Sequence, residues 1–106
     1  MAISDSEKNN IWATLKSKNL LKAFLSLKTE DEAKAFLRDL MTEKEIGEFD
    51  MRWRIAQMLD KGMTFIEIEK ETGMTPITIT RINKWLKEGC GGYKVMIERL
   101  KNDDKN

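Results

Sequence analysis

A cluster of basic and hydroxyl-bearing side chains lies between Thr75 and Lys87. Residues 76–87 contain Arg81, Lys84 and Lys87 and no acidic residue, which gives this stretch a charge of +3. Guanidinium and ammonium groups bind phosphate oxygens, and threonine hydroxyls hydrogen-bond to phosphates or to base edges. These residue types therefore favour a contact with double-stranded DNA rather than catalysis.

The expected role of each side chain depends on its place along the helix. Side chains near the start of a DNA-reading helix reach the base edges, so Thr78, Thr80 and Arg81 are predicted to read bases. Ile77, in the same first turn, could contact a thymine methyl group. The predicted phosphate contacts come from Arg52, Thr75, Lys84 and Lys87.

The residues around the basic stretch predict a helix-turn-helix at about residues 64–88. Thr64, with a glutamate three residues later, has the spacing of a capping box that begins the first helix. Gly73 supplies the turn, because glycine tolerates a left-handed backbone. Thr75 then caps the second helix, and Pro76 occupies its first position, where a missing N–H costs nothing.

Helix start signals recur along the chain, and no alternation typical of a strand extends over more than a few residues. The predicted fold class is all-α, with about six helices in one domain, residues 1–106. Further capping boxes are predicted for Ser4 with Glu7, Thr29 with Glu32, and Thr42 with Glu45. The predicted helices cover 4–26 (a break near 17–19 stays open), 30–40, 43–61, 65–72, 76–88 and 92–101, and the polar tail 102–106 is expected to fray.

Composition excludes several classes of site. The 106 residues contain no histidine and a single cysteine, Cys90. A disulfide framework, a histidine acid–base pair and a zinc site of known spacing are therefore not expected, and neither a catalytic nor a metal site is predicted. A chain with a single cysteine is expected in the reducing cytoplasm. No apolar run approaches the ~20 residues of a membrane span.

The helix predicted at residues 43–61 is apolar on two sides. One stripe contains Ile46, Phe49, Trp53, Ala56 and Leu59, and the other contains Met51, Ile55 and Met58. The N-terminal segment adds more large apolar residues. A helix that is apolar on two sides needs two neighbours, which favours an interlocked homodimer; a core formed within one chain is the alternative.

The stretch from Leu40 to Leu100 resembles the Trp repressor superfamily, above all its YerC/YecD-type branch. The motifs that carry the resemblance are LMTEKE, RWRIAQML and the run ETGMTPITITRINKWLKEGCGGYKVMIERL, all in register. The resemblance implies an all-helical fold whose N-terminal helices interlock with a second copy. It also implies a transcription regulator that binds operator DNA with two helix-turn-helix units.

The resemblance further implies a small-molecule pocket. The threonine and two arginines that hold tryptophan in the Trp repressor match Thr42, Arg52 and Arg81. A glycine and a serine of that pocket are replaced by Ile82 and Trp85, whose bulk is expected to fill the space. Tryptophan is therefore not expected as a corepressor, no cofactor is predicted, and another small-molecule effector stays open.

Two departures from the family pattern leave other functions open. Phe65, Ile66 and Glu69 stand where the repressor has polar DNA contacts. Glu69 also occupies a position that helix-turn-helix motifs usually give to alanine, although the resemblance implies that this family tolerates a long polar residue there. The alternatives are a dimeric protein-interaction module that has lost operator binding and a helical hairpin that only builds the core.

Overall fold

The computed structural model describes residues 11–12 and 18–104 of the chain. Six helices follow one another in the described residues: α1 Lys18–Ser26, α2 Glu30–Leu40, α3 Glu43–Asp60, α4 Phe65–Thr72, α5 Pro76–Glu88 and α6 Gly92–Asp104. Residues 11 and 12 are also helical, and no described residue lies in a strand. The predicted all-α fold is confirmed, whereas the capping box of Ser4 with Glu7 lies outside the described residues.

The helix bounds agree with the sequence at most positions. Helices α2, α4 and α5 begin and end where they were predicted, and α3 ends one residue early, at Asp60. The predicted end of the last helix at Lys101 is wrong, because α6 continues through Asp104. Residues 102–104 are polar, but they include neither glycine nor proline, so nothing in them forces the helix to stop.

The described residues form two compact units, 11–12 with 18–49 and 50–104, and the boundary falls within α3. In the first unit the rings of Phe24 and Phe36 meet edge to face, with centroids 5.4 Å apart. The hydroxyl of Thr29 accepts a hydrogen bond from the Glu32 N–H at 3.1 Å and so caps α2. The Glu32 carboxylate bonds the N–H of Lys28 instead of Thr29, so this predicted capping box is only half formed.

The second unit contains the hydrophobic core. Helix α5 packs against both α4 and α6. The buried side chains among the described residues form one cluster: Ile55, Ala56, Ile68, Ile79, Ile82, Leu86 and Ile97. Three of these, Ile79, Ile82 and Leu86, lie on α5 at the predicted helical spacing. The core therefore fixes which face of α5 turns away from the protein.

Several helices keep large apolar side chains in contact with solvent. None of the residues of α1 or α2 is buried, and Leu25 on α1 is 86% exposed. On α6 the exposed apolar residues are Val95, Met96 and Leu100. Exposed apolar faces of this kind are typical of contact surfaces. Among the described residues, no helix is both long enough and apolar enough to cross a bilayer.

Candidate nucleic-acid interface

Helix α4 begins and ends as the sequence predicts. The Thr64 hydroxyl accepts a hydrogen bond from the Glu67 N–H at 3.1 Å, and the Glu67 carboxylate accepts one from the Thr64 N–H at 3.3 Å. Gly73 ends the helix with φ of 72°, a left-handed backbone that a residue with a Cβ rarely adopts. The first helix of the predicted motif is therefore capped at both ends.

Three residues separate α4 from α5, and local hydrogen bonds hold this turn. The Thr72 hydroxyl donates to the Ile68 carbonyl at 2.7 Å and accepts from the Met74 N–H at 3.2 Å. Thr75 then caps α5, because its hydroxyl accepts from the Thr78 N–H at 3.4 Å. The start of α5, where base reading is predicted, is therefore set by short-range contacts.

The predicted DNA-binding side chains of this region lie away from the core. Those that are exposed are Thr75, Ile77, Thr80, Arg81 and Lys87, while Thr78 and Lys84 are half-buried. Within the part of the chain that the structure describes, Arg81, Lys84 and Lys87 form no ion pair. The three positive charges are thus available to an anionic partner.

The two helices of the motif differ in charge. Helix α5 carries Arg81, Lys84 and Lys87 against Glu88 and a net charge of +2, whereas α4 carries three glutamates against Lys70 and a net charge of −2. Glu69, at the position that is usually alanine, is half-buried. A polyanion would therefore be attracted to α5 rather than to α4.

Arg52 lies on α3, and its charge acts on a residue of α6. Burial raises the pKa of the Tyr93 phenol, and the nearby positive charge of Arg52 lowers that pKa by a smaller amount. The Tyr93 ring stacks on Trp53, with centroids 6.3 Å apart and planes 17° from parallel. Arg52 is therefore close to this aromatic pair, and its contact with phosphate stays a prediction.

Trp85 lines an apolar cavity of about 510 Å³. The cavity walls are formed by Trp53, Trp85, Gly89, Cys90, Gly92, Tyr93 and Met96. The Trp85 side chain is 38% exposed. Ile82, by contrast, is 1% exposed inside the core, and neither it nor Arg81 lines the cavity. The sequence did not predict this cavity, because its walls come from α3, α5 and α6 and no short sequence motif indicates that these residues meet.

Thr42, the remaining candidate of the ligand pocket, forms a capping box at the start of α3. The Thr42 hydroxyl accepts from the Glu45 N–H at 3.1 Å, and the Glu45 carboxylate accepts from the Thr42 N–H at 2.9 Å. These contacts lie in the unit that ends at residue 49. No group of acidic or cysteine side chains in the described residues could hold a metal ion.

Comparison with known proteins identifies the family. Residues 16–101 match the Trp repressor protein family. The chain belongs to this family. Members of the Trp repressor family are regulators and not enzymes.

Three similar proteins come from bacteria. The uncharacterized protein YerC of Bacillus subtilis (strain 168) is 36% identical over 80% of this chain and 82% of its own length. A TrpR-like protein from Eubacterium eligens ATCC 27750 shares 39% identity and superposes with a TM-score of 0.82, over 88% of this chain and 96% of its own. A protein from Staphylococcus aureus that is proposed to be a Trp repressor has 29% identity and a TM-score of 0.81, with coverages of 89% and 94%. The Trp repressor fold of the chain is therefore shown.

Proposed function

We propose that the protein is a transcription regulator, acting as a repressor, that binds specific sequences of double-stranded DNA as a homodimer. The observation that carries this proposal is the basic, solvent-facing side of α5, whose opposite side is anchored by buried Ile79, Ile82 and Leu86. A rigidly held helix with positive charges on its free face suits insertion into the major groove. Membership of the Trp repressor family supports the same function.

The side chains divide into two roles by their position on α5. Thr80 and Arg81, in its first two turns, can reach base edges and so provide sequence preference, together with half-buried Thr78. Lys84 and Lys87 lie farther along the helix, where phosphate oxygens are the nearer target. Thr75 at the cap and Arg52 on α3 complete the proposed phosphate contacts.

The homodimer is supported by the apolar faces that one chain leaves uncovered. Leu20, Leu21 and Phe24 on α1 are each more than a third exposed. Covering such surfaces with a second copy stabilises both chains by burying apolar area. In a symmetric dimer the two α5 helices would lie about 34 Å apart and read a pseudo-palindrome.

The proposed regulator does not require tryptophan. Ile82 replaces a glycine of the repressor pocket and is buried in the core, where a ligand could enter only by displacing it. We therefore propose that α5 is held in its DNA-binding position by protein packing. Another small molecule could still use the cavity beside Trp85.

Selection of bound duplexes from a random library, followed by titration at several salt concentrations, tests the proposed function. We expect enrichment of a pseudo-palindromic sequence and binding that weakens steeply from about 50 to 200 mM salt, because released counterions drive phosphate contacts. The joint change of Arg81, Lys84 and Lys87 to Ala should abolish binding. A control variant that replaces the exposed Lys34, Lys61 and Lys70 by Ala removes the same charge and should still bind.

One observation favours a second function. The negative net charge of α4 would repel DNA, although α4 belongs to the same helix-turn-helix as the basic α5. A dimeric protein-interaction module is therefore the competing proposal. A stable dimer that enriches no duplex and shows no salt-dependent binding to DNA would favour the module over the regulator.

A further inference from the structure

Ile77 is a large apolar side chain that the fold leaves in water. It is the second residue of α5 and is 67% exposed, although Ile79, two residues later, is completely buried. Ile77 is also absent from the side chains that pack against the core cluster. The packing among the described residues therefore gives Ile77 no structural role.

The surroundings of Ile77 on the helix are polar and basic. Residues three, four and seven positions later share its face of α5, and these are Thr80, Arg81 and Lys84. An apolar side chain within a positively charged face suits a partner that is anionic overall and has an apolar group at one point. In the major groove of DNA the apolar group is the C5-methyl of thymine.

We propose that Ile77 determines sequence preference by packing on a thymine methyl group. The inference rests on the proposed function, since it requires that α5 enter the major groove. The proposal predicts that each operator half-site has a thymine at the position where the first turn of α5 enters the major groove. It also predicts that duplex RNA is not a target, because uracil lacks the methyl group and the major groove of RNA is too narrow to be read.

The chain contains a matched control in Ile66. This isoleucine is 64% exposed and is likewise the second residue of a helix that follows a threonine cap. Its helix, α4, carries a charge of −2, whereas α5 carries +2. If exposure alone made an isoleucine bind the methyl group, the two side chains would behave alike.

The experiment uses the full chain and the best duplex from the library selection. Each thymine in turn is replaced by deoxyuridine, which removes one methyl group and keeps every hydrogen-bonding atom of the base. For the wild-type protein we expect about fourfold weaker binding at one thymine per half-site, the effect of losing one buried methyl group. In Ile77→Ala the same replacement should change affinity less than twofold, whereas Ile66→Ala should retain the fourfold effect.

Three results would overturn the inference: no thymine is sensitive in the wild type, Ile77→Ala keeps the full sensitivity, or Ile66→Ala loses it. Because Ile77 is exposed, its replacement should leave the thermal unfolding midpoint unchanged, and Ile77→Val should restore part of the sensitivity. Salt-dependent binding without any thymine effect refutes the role of Ile77 but leaves the proposed function intact. Absence of all duplex binding refutes the proposed function as well.

Discussion

The N–H of Gly89 donates a hydrogen bond to the Trp85 carbonyl at 2.9 Å, and a Cβ on Gly89 would collide with that same carbonyl group. Such a Cβ would overlap the oxygen and lie 3.1 Å from the carbonyl carbon. Both atoms belong to the backbone of α5, so they cannot rotate away as a side chain would. The last turn of the proposed DNA-reading helix therefore closes only with glycine at position 89.

Gly89→Ala should consequently destabilise the protein. Relief of the overlap requires a shift of the backbone at the end of α5, and we expect a loss of about 1–3 kcal/mol in the free energy of unfolding. Urea denaturation of the two proteins measures the difference. Gly92→Ala is the control, because no heavy atom other than those of its chain neighbours and of its own helix backbone lies within 4 Å of its Cβ position. Equal losses in the two variants would contradict the close contact with Trp85.

The capping box at the start of α3 predicts a pH dependence. Hydrogen bonds from the Thr42 backbone and hydroxyl hold the pKa of Glu45 below its ordinary value of 4.5. Since the folded pKa lies below the unfolded one, this stabilisation is present above pH 4.5 and is lost as the pH falls through the folded pKa. An NMR titration should show the Glu45 pKa rising in Thr42→Ala and unchanged in Thr29→Ala. A Glu45 pKa that stays unchanged in Thr42→Ala would show that the Thr42 hydroxyl does not donate to the Glu45 carboxylate; the backbone N–H of residue 42, the larger cause of the lowered pKa, remains in this variant.

Lys87 and Thr80 should differ in how their loss affects DNA binding. Lys87→Ala removes a phosphate contact, so we expect weaker binding to all duplexes alike and a salt slope smaller by about one unit. Thr80→Ala removes a group near the base edges, so it should alter the order of preference among sequences while the salt slope stays the same. Fluorescence anisotropy with a panel of single-base operator variants distinguishes the two. Identical effects of both changes on every duplex would refute this division of roles.

L-Tryptophan is expected not to bind. Ile82 is packed inside the core. By the family resemblance it stands in place of a pocket glycine, so we expect an indole ligand to have no space beside Arg81 unless the core opens. Isothermal titration calorimetry should give no binding heat for L-tryptophan, and the amino acid should leave duplex affinity unchanged. Micromolar binding that tightens the complex with DNA would instead restore tryptophan as the corepressor.

The homodimer predicts a strong effect of charge on α1. Leu25 is 86% exposed, so Leu25→Asp should not harm a single folded chain. If a second copy covers this face, the aspartate is buried without a partner and the dimer should dissociate. Sedimentation equilibrium should give twice 12.3 kDa for the wild type and a shift toward 12.3 kDa for the variant. The control is Ser26→Asp, which makes the same charge change at a small exposed residue. A wild-type protein that is a stable monomer would contradict the dimer proposal.

The local structure of the motif could be predicted from the sequence because its signals act over a few residues. Thr64, Gly73 and Thr75 each fix the backbone within one turn, and all three have their predicted conformations. The cavity beside Trp85 could not be predicted in this way. Its walls include Trp53 and Tyr93, which are distant in sequence and meet only after α3 and α6 have packed.

The small core has a consequence for the behaviour of the protein in a cell. The buried cluster of the described residues consists of seven side chains, and large apolar faces remain on α1 and α6. If a second copy covers those faces, part of the folding free energy comes from association and grows with protein concentration. Dilution would then lower the melting temperature and the occupancy of DNA together, so the abundance of the protein would itself control how much of it is able to act.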